Sequence, residues 1–105
     1  MTIRTTVCIY GLVDPRDFTV RYIGASVDVY TRYRIHLFER TGAKKVAWLD
    51  ELKDLGLKPE IKILENVTIV ARDEAEAKWI QYFIHKGANL TNATNTKAWR
   101  YLTRV

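Results

Sequence analysis

Cysteine occurs once in this 105-residue chain, at Cys8, so no intramolecular disulfide can form, and no set of Cys and His residues sits at zinc-ligand spacing. Both absences fit a reducing, intracellular compartment. Proline occurs twice and glycine five times, too rarely for a collagen-like or low-complexity chain. No stretch of about 20 apolar residues is present to span a membrane, and Met1 to Val13 holds no continuous apolar run of signal-peptide length. The chain is therefore expected to be neither membrane-spanning nor exported by a visible signal. Phosphate-cradling glycine loops and nucleophile elbows are missing as well. Acidic residues are absent from the last quarter: residues 77–105 carry Lys78, Lys86, Lys97, Arg100 and Arg104 and no Asp or Glu.

The rest of the composition is globular, with 48% hydrophobic and 28% charged residues. Three Trp, six Tyr and three Phe give a small core bulky side chains to bury. The length suits one domain over residues 1–105, with a core at about 5–92 and a basic C-terminal extension at 93–105. A net charge of +5 and a pI near 9.5 favour a polyanionic partner, nucleic acid or an anionic lipid surface. An uneven solvated surface accounts for the charge equally well.

Two β-prone runs, residues 7–12 and 19–24, flank a turn containing Asp14-Pro15 and Arg16-Asp17, which predicts a β-hairpin. Alternation places Tyr10 on a face with Cys8 and Leu12, and Tyr22 on one with Val20 and Gly24. Direct pairing of Tyr10 with Tyr22 would aim both phenols from one face. Asp28 is a good N-cap for a helix over about 28–40, whose apolar stripe is Val29, Tyr33 and Leu37. Arg32 and His36 stack beside that stripe. A second helix is expected from about Lys44 to Leu55, with Trp48, Leu52 and Leu55 on one face and Gly56 as its C-terminal stop. Ile61, Ile63, Leu64 and Val67 form a third strand, and Ala75, Trp79, Ile80, Phe83 and Ile84 mark a third helix over 72–86. The order β-β-α-α-β-α is an α/β (α+β) arrangement: a small antiparallel sheet, joined by the third strand, that buries its faces against helices.

Several polar groups fall at positions that do not explain them: two tyrosines on a strand face, Arg32 and His36 on a helix flank, and Glu76 beside an apolar stripe. Singly, each has a plain explanation as a half-buried sheet residue, a solvated helix face, or an acid near a helix N-terminus. Together they suit phosphodiester hydrolysis, which needs a carboxylate-held metal, a cation for the phosphorane charge and a group that activates water. His85 reads as a surface residue, and Trp48 and Trp79 as core anchors. Lys97, Arg100 and Arg104, interleaved with Trp99 and Tyr101, are candidates for nucleic-acid backbone contacts.

Cys8-Ile9-Tyr10, then Tyr22-Ile23-Gly24, with Arg32 ten and His36 fourteen residues after Tyr22, and Glu76 followed by Trp79-Ile80, resembles the GIY-YIG nuclease superfamily. The likeness covers roughly residues 7–92, including Gly56, Pro59, Gly87 and Leu90-Thr91-Asn92. The resemblance implies a divalent-metal-dependent DNA endonuclease with a three-stranded antiparallel sheet flanked by helices. It further implies that Glu76 binds one Mg2+ or Mn2+, that Tyr10 activates water and that Arg32 stabilises the phosphorane. Tyr22 and His36 would support the proton transfers, and Asn92 would fix the geometry. Cys8 replaces the first glycine of the family, Ala25 stands where many relatives carry Lys or Gln, and Thr94-Asn95-Thr96 replaces a Gly-Gly. The chain is nearly all catalytic module, so specificity would come from a homodimer, a separate DNA-targeting protein or DNA structure. The competing class is a non-catalytic nucleic-acid-binding module that keeps the nuclease fold.

Overall fold

The structure, a computed structural model, describes residues 5–93. Strands β1 (Thr6–Val13) and β2 (Val20–Ser26) form the hairpin, followed by α1 (Val29–Phe38), α2 (Ala43–Asp54), β3 (Glu60–Thr68), one 3-10 turn (Ile69–Ala71) and α3 (Arg72–His85). The fold is α+β in the order β-β-α-α-β-α. The three strands are antiparallel with β1 in the middle, between β2 and β3. No described helix is long and apolar enough to cross a membrane.

Being central, β1 is buried on both faces. Ile9 and Val13 join Val20, Ile23, Ala75, Ala77 and Ile80 in one core beneath α3. Tyr10 and Leu12 join Val29, Trp48 and Leu52 in a second core beneath α1 and α2. Ile61 belongs to the second core and Val67 to the first, although both are odd-numbered residues of β3. A bulge in the pairing of β3 with β1, where the register shifts between Ile9 and Tyr10, reverses which face each parity presents.

The hairpin loop is fastened to α2 by a buried carboxylate. Asp14 accepts hydrogen bonds from Arg16 and, at 2.9 Å, from Trp48 Nε1. Arg16 holds that carboxyl well below the usual range. Trp48 is thus a core anchor whose indole N–H has a partner.

Helix α1 begins where the sequence predicts, with the Asp28 side chain accepting from Thr31 N. Its buried face is rotated from the expected stripe: Val29 and His36 are buried, while Tyr33 and Leu37 are only half-buried. The two tyrosines of the sheet draw the Arg32–His36 flank inward. In α2, Leu55 is exposed beyond the last turn, and Lys45, one turn before Trp48, takes the inward position instead. In α3, Ile84 is exposed and Ala77 is buried.

Candidate active site

Tyr10 pairs across the hairpin with Gly24, and Tyr22 pairs with Leu12. The two phenols are therefore offset by two residue pairs from the direct opposition expected, and because the offset is even they share a face, with ring centroids 6.5 Å apart. The offset puts the small Gly24 opposite Tyr10, and the Tyr10 ring lies over it. The Tyr10 hydroxyl is 2.6 Å from Nε2 of His36, whose ring also meets Tyr22 edge to face at 5.0 Å. Tyr10 and His36 are almost wholly enclosed. Burial pushes the Tyr10 phenol up and the His36 imidazole down to about 4, with Lys45 and Arg32 adding to the fall at His36. His36 is neutral at pH 7, so its 2.9 Å contact with Glu39 is not an ion pair.

Glu39 is the hub of a charged cluster. Its Oε1 meets Nδ1 of His36 and the Lys45 ammonium, and its Oε2 meets Arg32 at 3.3 Å. Burial alone would raise the Glu39 carboxyl, but the bond and charge of Lys45, with Arg32 behind it, hold it below its ordinary range. The Lys45 ammonium also stands 4.8 Å from the centroid of the Tyr22 ring, a cation–π contact.

A cleft of about 140 Å³ opens beside this cluster, lined by Tyr22, Gly42, Lys45, Glu76, Thr91 and Asn92 among others. It runs along the outer edge of β2. Asn92 closes that edge as a further strand would: its Oδ1 accepts from Ile23 N at 2.9 Å and its Nδ2 donates to Ile23 O at 2.7 Å. Thr91 N bonds Arg21 O in the same way. Gly42 supplies the left-handed backbone, φ 84°, that starts α2 and brings Lys45 into the wall.

Glu76, from the second turn of α3, is the acid of the cleft. No hydrogen bond from a described residue reaches it, and burial raises its carboxyl to about 7 against a weak opposing pull from Arg72. No cluster of three or more His, Cys, Asp or Glu side chains able to hold a metal occurs among the described residues. A single unpartnered carboxylate does not suit zinc. It does suit Mg2+ or Mn2+, because magnesium keeps several waters and takes one or two carboxylates together with substrate phosphate oxygens.

Tyr10, Tyr22, Arg32, His36, Glu76 and Asn92 thus all lie in or around this cluster and cleft. Tyr22 lines the cleft, whereas Tyr10 lies enclosed next to it, so the accessible phenol is the second of the pair. Lys97, Arg100 and Arg104 lie outside the described residues. Sequence reasoning missed Lys45 and Glu39. Their signals were present: Lys45 is three residues before Trp48 on the buried face of α2, and Glu39 is three residues after His36 on the flank begun by Arg32. Comparison with protein families, with curated proteins and with solved structures returns no match.

Proposed function

We propose that the chain is a divalent-metal-dependent endonuclease of the GIY-YIG type that hydrolyses DNA phosphodiester bonds. The observation that carries it is the 2.6 Å contact between the Tyr10 hydroxyl and His36 Nε2, set beside a cleft that contains a lone carboxylate, Glu76. A phenol with its pKa raised by burial is a poor base at neutral pH unless its own proton has an acceptor. His36, neutral and in hydrogen-bond contact, is that acceptor.

In this reading Glu76 would hold Mg2+ or Mn2+, which supplies Lewis-acid stabilisation of phosphate charge when bound. Tyr10 takes a proton from the attacking water as its own passes to His36. Arg32, one-third exposed beside Tyr10 and Tyr22 and 3.3 Å from Glu39, would turn toward the developing phosphorane charge. Lys45 and Tyr22 wall the cleft, and because Tyr10 is enclosed, that wall must give way when DNA binds. Arg34 and Lys44, exposed on α1 and α2, add cations for the DNA backbone on the helices that build the site.

The test is conversion of supercoiled plasmid to nicked and linear forms with Mg2+, Mn2+ or chelator, for wild type and Glu76→Ala in parallel. Metal-dependent cleavage that disappears in the variant, with DNA affinity retained, is the expected result. The nicked-to-linear ratio reports whether two copies act together. Salt-sensitive DNA binding without any metal-dependent turnover by the folded protein would replace this reading with the non-catalytic binding module.

A further inference from the structure

We propose that Glu39 is a positioning residue that holds His36 as the Nδ1–H tautomer, leaving Nε2 free to take the Tyr10 proton; the catalytic consequence rests on the nuclease reading above, the tautomer does not.

Two groups compete for Nδ1 of His36: Oε1 of Glu39 at 2.9 Å and Nζ of Lys45 at 3.2 Å. They demand opposite tautomers. A carboxylate only accepts, so a bond to Glu39 requires a proton on Nδ1. An ammonium only donates, so a bond from Lys45 requires a bare Nδ1 and moves the ring proton to Nε2. The geometry favours Glu39. Its Oε1 is approached by both the Lys45 ammonium and Nδ1, so one oxygen accepts from two donors, and the closeness of Nζ to Nδ1 follows from that shared acceptor. Oε2 is taken by Arg32, which leaves the carboxylate ionised and in place.

With the proton on Nδ1, Nε2 carries a lone pair toward Tyr10, whose hydroxyl donates to it. The order is then phenol O–H to Nε2 and Nδ1–H to carboxylate, the logic by which a buried acid orients a histidine base in hydrolytic triads. During reaction the Tyr10 O–H bond breaks, an Nε2–H bond forms, and the Tyr10 oxygen takes the proton of the attacking water. The imidazolium so made is held by the Glu39 charge on one side. Arg32 on the same helix, Tyr10 on β1, Tyr22 on β2 and Lys45 on α2 face the ring, and burial together with the two cations keeps it neutral until the proton arrives.

The experiment is nitrogen-15 NMR of the two histidines, with exposed His85 as the internal reference, joined to plasmid nicking kinetics. Wild type is expected to show His36 protonated at Nδ1 and bare at Nε2 at pH 7. Glu39→Leu removes the acceptor and leaves the Lys45 ammonium, 3.2 Å away, to donate to Nδ1, so the ring should switch to the Nε2–H form. Nicking should then fall about 10²-fold in kcat with KM unchanged, and Glu39→Asp should restore part of it. Lys45→Met should leave the Nδ1–H form in place. An Nε2–H ring in wild type, an unchanged ring in Glu39→Leu, or a changed ring in Lys45→Met overturns the proposal, as does a switched ring with an unchanged kcat. If wild-type protein does not nick DNA, the nuclease reading fails by itself and the NMR result still decides the role of Glu39.

Discussion

A Cβ built on Gly24 lies 2.5 Å from the Tyr10 hydroxyl oxygen and 2.6 Å from its Cζ, distances that side chains do not reach. The second glycine of the hairpin therefore exists to let the Tyr10 ring cross the strand and meet His36. The same Cβ would lie 2.9 Å from the Tyr22 ring, so neither phenol can yield without disturbing the other.

Gly24→Ala is expected to push the Tyr10 hydroxyl off Nε2 of His36 and to destabilise the fold by about 1–3 kcal/mol through overpacking. Urea unfolding and plasmid nicking check it. Gly11→Ala is the control, because the nearest atom to its Cβ would be a Val20 methyl at 3.2 Å, and should cost less on both measures. Equal effects at the two positions would remove the special status of Gly24.

Asn92 joins the segment after α3 to an edge strand by two hydrogen bonds to one residue, Ile23. Asn92→Ala strands the Ile23 N–H and C=O, and each lost bond contributes about 0.5–1.5 kcal/mol. Amide exchange at Ile23 is expected to quicken selectively, while Ile9 on the central strand stays protected. Uniform quickening through the sheet would mean that Asn92 supports the whole fold and not the β2 edge.

The fold was legible because period and punctuation agree. Asp28 caps α1, Gly56 follows α2, and apolar spacing marks α3. The hairpin register was not legible. Strand alternation fixes which face Tyr10 occupies but not which residue stands opposite it, and a shift of two residues leaves the faces unchanged. In α1 the buried face is rotated from the apolar stripe: Val29 is buried and Tyr33 packs on the core, but a hydrogen-bonded histidine against two tyrosines buries better than Leu37. The candidate site divides the same way. Its tyrosines, arginine, histidine and glutamate fall at recognisable spacings, whereas Lys45 and Glu39 have helical positions beside the other site residues but no motif of their own. Period places Lys45 on the Trp48–Leu52 face of α2, but not the carboxylate of Glu39 that meets its ammonium there.

Arg32 carries a different expectation. Its side chain is one-third exposed and its bond to Glu39 is long, so Arg32→Ala should change stability by less than about 1 kcal/mol. Removing a group that stabilises charge in a transition state lowers kcat by roughly 10² to 10³-fold. Nicking should therefore collapse in a variant whose unfolding curve overlays wild type. Loss of fold together with activity would instead make Arg32 a structural residue.

Glu76 and His36 oppose each other in the pH dependence of stability. Glu76 has an ordinary value of 4.5 and is raised to about 7 by burial, so between those pH values the folded protein holds a proton that the unfolded chain releases. That contribution to stability is lost as pH rises. His36 has an ordinary value of 6.5 and is lowered to about 4, so in its window the unfolded chain binds the extra proton and stability rises with pH. In wild type the two slopes offset each other over most of this range. Glu76→Gln leaves the His36 slope alone. The variant should gain on wild type as pH rises from 4.5 to 7, by as much as about 3 kcal/mol. Urea unfolding at half-unit pH steps measures the difference, and parallel curves for the two proteins would show that Glu76 is not desolvated as described. Added Mg2+ competes with the same proton, so it should stabilise wild type above pH 7, lose that effect toward pH 5, and do nothing for Glu76→Gln at any pH.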